Sequence, residues 1–355
     1  MSKQEQSTPT PIGALGEFGL IDRLTEGLYD ASDSTIKGIG DDAAVLDHDT
    51  RRTLISTDLL IEGIHFDLAY TPLKHLGYKA VMVNLSDIYA MNGMAEQITV
   101  SLALSNRFSV EAVEELYSGI KLACDQYQVD IVGGDTTSSI QGLVISITAI
   151  GSVAKDQVVL RSGAQEGDLL CVTGDLGAAY LGLQLLEREK QIYLEAPDVQ
   201  PDLEDQQYLV QRQLRPLARK DVILQLAELS IVPKAMIDLS DGLASDLLHI
   251  ARASGVGAEI QEDWVPIHEE AKLMAMQFKM DPITCALSGG EDYELLFAVD
   301  HRHEDALHDL DDISVIGSVK RKEDGVYLLS SAGKRHEIIA QGWKHFKDGD
   351  QSASS

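Results

Sequence analysis

Apolar and polar positions along the chain alternate between two periods, and the first half reads as strands separated by helices. Residues 143–153 place Leu143, Ile145, Ile147 and Ala149 on every second position, with smaller or polar residues between them. That period of two predicts a strand with one buried face. Residues 53–57 and 98–104 read as strands in the same way. Between them, Pro72 opens a helical pattern carrying Leu73, Leu76, Ala80 and Val83 on one face. A second begins at Ser109, a residue suited to an N-cap, and carries Val113, Leu116, Ile120 and Ala123.

The polar stretch 155–167 contains two glycines and predicts a domain boundary. Beyond it, residues 168–173 read as a strand, followed by Gly174-Asp175-Leu176-Gly177 and a helix to about Lys190. An acidic segment within 187–206, with Pro197 and Pro201, predicts a surface linker and receives no role. Residues 235–239 predict a strand that runs into a helix with Leu243, Leu247, Leu248 and Ala251 on its apolar positions. Residues 293–299 and 326–329 complete the predicted strands. The expected fold class is α/β (α+β) in two domains. Their expected bounds are 16–154 and 168–346, joined by the 155–167 linker and flanked by disordered tails at 1–15 and 347–355.

Composition narrows the function. The 355 residues are 44% hydrophobic, enough for a buried core, and carry a formal net charge of -28. Such a surface repels nucleic-acid phosphates and anionic lipid, so neither is an expected partner. The three cysteines, Cys124, Cys171 and Cys285, form no CxxC pair. Neither a disulfide framework nor a zinc site is expected, and a reducing cytoplasm fits. The polar N-terminus has no apolar signal region, and the weakly polar run 143–154 is too short to span a bilayer.

The position of the acids changes the picture most. Asp41 and Asp42 follow Gly38-Ile39-Gly40, Asp58 ends Ile55-Ser56-Thr57-Asp58, and Asp87 lies in Asn84-Leu85-Ser86-Asp87 on the first helix. Asp135 follows Ile131-Val132-Gly133-Gly134, Asp238 and Asp241 flank Leu239-Ser240, and Glu291 and Asp292 follow Ser288-Gly289-Gly290. Carboxylates beside apolar strands lose hydration and repel one another, and a divalent cation removes that penalty. Carboxylate, hydroxyl and water oxygens suit Mg2+, with Ser56, Thr57 and Ser240 as further oxygen donors. Taken singly, a Gly-Asp pair is a turn and Asp241 is a favourable charge at its own helix start. The chain has no G-x-x-x-x-G-K-[ST] and no GxGxxG, so it is not a P-loop protein. Arg161, in Leu160-Arg161-Ser162-Gly163, is the best basic candidate for phosphate, and a surface arginine is the plain alternative. His65, in Glu62-Gly63-Ile64-His65-Phe66, reads equally as structural or functional.

These motifs, in this order, resemble the thiamine-monophosphate kinase family. The resemblance runs from Gly16-Glu17-Phe18 to Gly342-Trp343, through Gly-Ile-Gly-Asp-Asp, Ser-Thr-Asp, Gly-Ile-His-Phe, Asn-Leu-Ser-Asp, Gly-Gly-Asp-Thr-Thr, Arg-Ser-Gly-Ala, Ile-Asp-Leu-Ser-Asp-Gly-Leu and Ser-Gly-Gly-Glu-Asp-Tyr-Glu-Leu. It implies a fold similar to the aminoimidazole-ribotide synthetases, with an N-terminal mixed-sheet domain that forms the contact of a homodimer and a C-terminal α/β domain. It implies ATP as co-substrate, several Mg2+ ions per site and thiamine monophosphate as the phosphate acceptor. The expected reaction is direct in-line phosphoryl transfer that yields thiamine diphosphate and ADP.

By the same resemblance, Asp42, Thr57, Asp58, Asp87, Asp135, Asp238 and Asp241 match magnesium-binding positions, and Ser56 falls in the same cluster. Of these, Asp58, Asp87, Asp135 and Asp241 are the expected catalytic carboxylates. Gly134, Asp135, Arg161 and Ser240 match ATP-contacting positions. His65, Glu291 and Trp343 match positions that contact thiamine phosphate, where an aromatic face suits the cationic thiazolium ring. Tyr89-Ala90-Met91-Asn92-Gly93 departs from the family's usual Met-Gly-Ala at this point. Two alternatives stay open. One is another ATP-using enzyme of the same superfamily, although the reactive N-terminal cysteine of selenophosphate synthetases and the terminal cysteine of hydrogenase-maturation dehydratases are missing here. The other is a non-catalytic sensor of magnesium or nucleotide.

Overall fold

The structure is a computed structural model that describes residues 35–37, 41–48, 50–198 and 203–339. Its elements run β1 (Thr35–Lys37), β2 (Ala44–His48), β3 (Arg51–Ile61), α1 (Leu73–Ala90), β4 (Met94–Leu104), α2 (Val110–Tyr127), β5 (Asp130–Ser138) and β6 (Leu143–Ala154). After the 155–168 segment come β7 (Leu169–Thr173), α3 (Ala178–Glu195), α4 (Gln207–Leu214), α5 (Lys220–Glu228), β8 (Ala235–Asp238), α6 (Leu243–Ser254) and β9 (Gly257–Gln261). Then follow α7 (Glu269–Gln277), α8 (Pro282–Ser288), β10 (Leu295–Val299), α9 (Glu304–His308), β11 (Ile313–Lys320), β12 (Val326–Leu329) and β13 (Arg335–Glu337).

The strands form two mixed sheets. The first has the order β1-β2-β3-β6-β4-β5, antiparallel except for the parallel pair β4–β5. The second has the order β13-β12-β9-β11-β7-β10-β8, antiparallel except for β12–β9. Both lie within one compact unit, Ser34–Gly342.

Alternation decides which face of the first sheet is covered. Leu143, Ile145, Ile147 and Ala149 of β6 are buried, as are Ile98, Val100 and Leu102 of β4. That face packs against α1 and α2, while the intervening residues stay half-buried. Ser109 caps α2 as its sequence predicts, accepting from the Ala112 N–H at 3.3 Å. Pro72 takes the N-cap position of α1.

One apolar face does not describe α1. Tyr78, Lys79, Val81, Met82, Asn84, Leu85, Ser86, Ile88 and Tyr89 are buried as well as Leu76 and Ala80. The helix has the first sheet on one side, α2 on another, and β8 and α4 of the second half beyond. Gly77 and Gly119 make the α1–α2 approach possible. A Cβ on Gly119 would stand 1.8 Å from Lys74 O, and one on Gly77 would stand 2.0 Å from Leu116 O. Both obstacles are helix backbone, so neither turns aside. Gly119→Ala is therefore expected to destabilise the protein by about 1–3 kcal/mol through forced separation of the helices. Urea unfolding reads this directly, and an unchanged midpoint would contradict it.

The departure at 89–93 ends α1. Asn92 takes a left-handed φ of 58°, which asparagine tolerates better than most residues, and its Nδ2 donates to Gln157 O at 2.8 Å. Elsewhere the elements depart from their predicted bounds. β3 continues to Ile61, so Asp58 lies inside the strand rather than at its end. Asp135 lies inside β5, and α3 runs on to Glu195. β10 begins at Leu295, two residues after the predicted start.

Candidate active site

Strand alternation sorts the Ser56-Thr57-Asp58 run. Leu54, Ser56, Asp58 and Leu60 share one face of β3, and Leu54 and Leu60 are buried in the core. The two polar residues between them meet α1. Ser56 Oγ donates to Asp87 Oδ2, and the Asp58 N–H donates to Asn84 Oδ1 at 3.0 Å. Asn84 is itself fixed by Nδ2 donating to Ala80 O at 2.9 Å. Thr57 belongs to the opposite face, where its Oγ1 donates to Ile147 O at 3.0 Å and accepts from Thr148 Oγ1 at 3.1 Å.

The second half contributes Asp238 at the end of β8. Ser86, on α1, donates to Asp238 Oδ2 at 2.7 Å and so bridges the two sheets' layers. Asp42, just before β2, completes the group. Asp42, Asp87 and Asp238 each offer a carboxylate oxygen within 4.8 Å of the others. Opposite ligands of an octahedral Mg2+ stand about 4.2 Å apart, since each Mg–O bond is about 2.1 Å. The donor set is therefore of the right kind and nearly the right size. Asp58 supports the fit, because its buried Oδ2 has no hydrogen-bond partner among the described residues.

The electrostatics are those of crowded, desolvated carboxylates. Burial raises the Asp87 carboxyl well above the ordinary range, and the charges of Asp58, Asp238 and Asp42 push it further. Burial, then Asp42, raises Asp238 to about 8 despite the hydrogen bond from Ser86. Burial raises Asp58 to about 6, and burial together with Asp42 raises Asp41 to about 6. Arg161 supplies part of the compensation. Its Nε and Nη2 each donate to Asp42 at 2.8 Å in a bidentate pair, and its N–H donates to Asp41 Oδ1 at 3.2 Å.

These shifts fix the sign of a pH effect. An aspartate raised in the folded state holds a proton that the unfolded chain has lost above about pH 4, so stability falls as pH rises toward the folded value. His75 and His249, lowered mainly by burial, oppose this only below about pH 6.5, where the unfolded imidazole charges. Between about pH 6.5 and 8 the carboxylates dominate: Asp238, the strongly raised Asp87 and Asp246, and Asp292 at about 7, raised chiefly by burial. Urea unfolding in EDTA should show falling stability across that window, and added Mg2+ should reverse the fall at pH 8. Stability that rises with pH in EDTA would contradict the arrangement.

Other residues singled out in the sequence lie around this centre. The Asp241 and Gly242 N–H groups donate to Asp246 Oδ2 at 3.3 and 3.1 Å, which pins the loop between β8 and α6. Ser240 is exposed on that loop, and its carbonyl accepts from the Glu291 N–H at 2.7 Å. His65 follows β3 in a turn, with Nδ1 accepting from the Ile61 N–H at 3.0 Å. Gly134 and Asp135 sit apart. Asp58 pairs with Ile147, Ile147 with Val100 and Val100 with Gly134, so β5 lies three strands, or about 14 Å, from β3. Gly134 packs against its neighbour so tightly that a Cβ would stand 2.0 Å from Val100 O. Trp343, with the predicted tails, lies outside the described residues.

Residues 40–153 match the family described as AIR synthase related protein, N-terminal domain, and residues 165–329 match its C-terminal domain. The thiamine-monophosphate kinase of Aquifex aeolicus is 37% identical over 332 residues, which cover 94% of this chain and 98% of that one. That of Bacillus subtilis is 35% identical, covering 94% of this chain and 100% of that one. The chain belongs to the thiamine-monophosphate kinase family. Its fold is matched by the solved structure of AaThiL complexed with AMPPCP and TMP, with a TM-score of 0.81 and 36% identity, covering 96% of this chain and 100% of that chain. The family's two-domain α/β architecture is thus the one expected from the motifs.

Sequence reasoning missed the supporting residues. Asn84 and Ser86 lie in Asn84-Leu85-Ser86-Asp87, but only the contacts reveal that one holds the Asp58 N–H and the other the Asp238 carboxylate. The motif at 291–294 also divides its work. The Glu291 N–H donates to the 240 loop, and Asp292 caps α3 by accepting from the Gly177 and Ala179 N–H groups at 2.8 and 3.3 Å. Glu294 joins a buried ion cluster with Arg212 and Arg219.

Proposed function

We propose that the protein transfers the γ-phosphoryl group of ATP to the phosphate of thiamine monophosphate, giving thiamine diphosphate and ADP. The reading is carried by one observation. In a chain related over nearly its whole length to thiamine-monophosphate kinases, Asp42, Asp87 and Asp238 converge from three separate elements. A structural neighbour bound to AMPPCP and TMP supports the same pair of ligands.

The chemistry asks for little proton transfer. The attacking oxygen belongs to a phosphate monoester that is largely dianionic near neutral pH, so no strong base is needed. A bond forms between that oxygen and the γ-phosphorus as the γ-phosphorus bond to the bridging oxygen breaks, and ADP leaves with the electron pair. The obstacle is the approach of two anions in a strongly acidic protein. Bound Mg2+ supplies the positive charge that offsets the phosphates. Asp42, Asp87 and Asp238 would hold it, with Asp58 and Ser56 beside them and Thr57, Asp135 and Asp241 as further ligands by family resemblance. Ser56 and Ser86 keep two of the carboxylates aimed, which is the positioning such a reaction rewards. Gly134, Asp135, Arg161 and Ser240 contact ATP in this reading, and His65, Glu291 and Trp343 contact the acceptor.

We further propose a cytoplasmic homodimer. The described cysteines are free and buried, and among the described residues no helix is long and apolar enough to cross a membrane. Strand β5 is exposed along its whole length at the edge of the first sheet, with Ile131 and Val132 uncovered. Proteins rarely leave such an edge open. A second copy covering it also accounts for the distance of Asp135 from the other carboxylates. Sedimentation at twice the 38.7 kDa chain mass supports this, and sedimentation as a monomer at assay concentration refutes it.

A coupled ADP assay tests the reaction. ADP release should depend on thiamine monophosphate and fall to background when thiamine replaces it. Equal rates with and without the acceptor would overturn the proposal.

A further inference from the structure

Lys79 is an ammonium group inside a helix interface. It lies on α1, only 3% exposed, where an unpaired charge would be strongly unfavourable. Its partners come from the other half of the chain. Nζ donates to Gln213 O at 2.9 Å and stands 3.2 Å from Glu291 Oε1. Gln213, 4% exposed at the end of α4, donates Nε2 to Glu291 Oε2 at 2.8 Å. Each carboxylate oxygen of Glu291 is thus held by a different buried side chain.

The backbone of Glu291 is held as firmly. Its φ of 59° lies in the left-handed region, which is unfavourable for a residue with a Cβ and persists where surrounding contacts impose it. Those contacts are visible. The Glu291 N–H donates to Ser240 O at 2.7 Å and the Tyr293 N–H to Leu239 O at 2.9 Å. Glu291 nonetheless keeps 29% of its side chain open to solvent. Beside it, Gln213 Oε1 is buried with no hydrogen-bond partner among the described residues. A merely structural ion pair needs neither the strained backbone nor the open side nor the spare acceptor.

We infer that Lys79 and Gln213 are positioning residues that fix the Glu291 carboxylate for the phosphate acceptor. This rests on the reading of Glu291 as an acceptor contact. Thiamine monophosphate carries a cationic thiazolium ring and an aminopyrimidine with N–H donors, and a pre-oriented carboxylate with an adjacent amide oxygen matches both. Without the clamp, Glu291 must be ordered on binding, and acceptor affinity bears that cost. ATP has no part in it.

Steady-state kinetics of the full chain with ATP and thiamine monophosphate test the inference. Lys79→Met and Gln213→Met should each raise KM for thiamine monophosphate about tenfold and leave KM for ATP within about twofold. Lys79→Arg, which keeps the charge, should recover most of the loss. On a Glu291→Gln background, Lys79→Met should add little, because it acts through the carboxylate. Equal rises in both KM values, no rise in either, or a full additional loss on the Glu291→Gln background would overturn it. If Lys79→Met does not fold, Gln213→Met and Lys79→Arg carry the same comparison. A wild-type protein unable to phosphorylate thiamine monophosphate overturns the proposed function and this inference together. An active wild type with unaltered variants overturns the clamp alone.

Discussion

Asp87→Asn is expected to lower turnover by on the order of 10³-fold or more while raising the melting temperature of the metal-free protein. Both effects have one cause. Asp87 is half-buried in the last turn of α1, and desolvation followed by the charges of Asp58, Asp238 and Asp42 disfavours its ionised form. Asparagine keeps the shape and still accepts from Ser56 Oγ, so the change removes charge and little else. The folded state then no longer carries a carboxylate that is costly to ionise near neutral pH, and stability rises in EDTA. The same loss weakens the hold on magnesium, and activity goes with it. Circular dichroism melts and the ADP assay on one preparation read both. A variant with more than a tenth of wild-type activity, or one less stable without metal, contradicts the account.

The second large effect is structural. Glu294 is 2% exposed and is shared by two guanidinium groups, with Arg219 Nη1 at 2.5 Å and Arg212 Nη1 at 3.0 Å. It also accepts from Thr173 Oγ1 at 2.5 Å, and that hydroxyl in turn accepts from the Leu295 N–H at 2.9 Å. Glu294→Ala strands two buried cations at once. Arg219 retains Asp221 and Asp312, and Arg212 retains the Asp175 carbonyl and, at 3.9 Å, the Asp292 carboxylate, but none of these is shared by both cations as Glu294 is. Breaking a buried ion pair from one side costs about 3–5 kcal/mol, and urea unfolding should show a loss in that range. Glu294→Gln, which keeps one acceptor oxygen, should lose less. A loss under about 1 kcal/mol for the alanine variant would mean that the cluster is effectively solvated.

The sequence carried some of this plainly. Alternation in β6 was readable because that strand has one covered face, and the Ser109 cap because capping is local. Residues 326–329 are strand in both readings. The rest depends on distance along the chain. One apolar face is too narrow a description of α1, since three layers meet that helix and Lys79, Asn84 and Ser86 are buried with it. Strand β5 was obscured by Gly133, Gly134 and two threonines, which lack an apolar period because no face of the strand is buried. The acids were legible as a set, yet which of them meet was not. Asp42, Asp87 and Asp238 converge, Asp135 lies on the far edge strand, and Thr57 turns away from Asp58 by simple alternation. Lys79 and Glu291 are separated by most of the chain, and nothing in either neighbourhood announces the other.

The central claim is that the carboxylates gathered between the two halves serve magnesium-assisted phosphoryl transfer from ATP to thiamine monophosphate. The most direct measurement incubates the purified protein with ATP, Mg2+ and thiamine monophosphate and quantifies products by chromatography. The account predicts thiamine diphosphate and ADP in equal amounts, both suppressed by EDTA. ADP without thiamine diphosphate, or neither product from protein that still binds ATP, would contradict it.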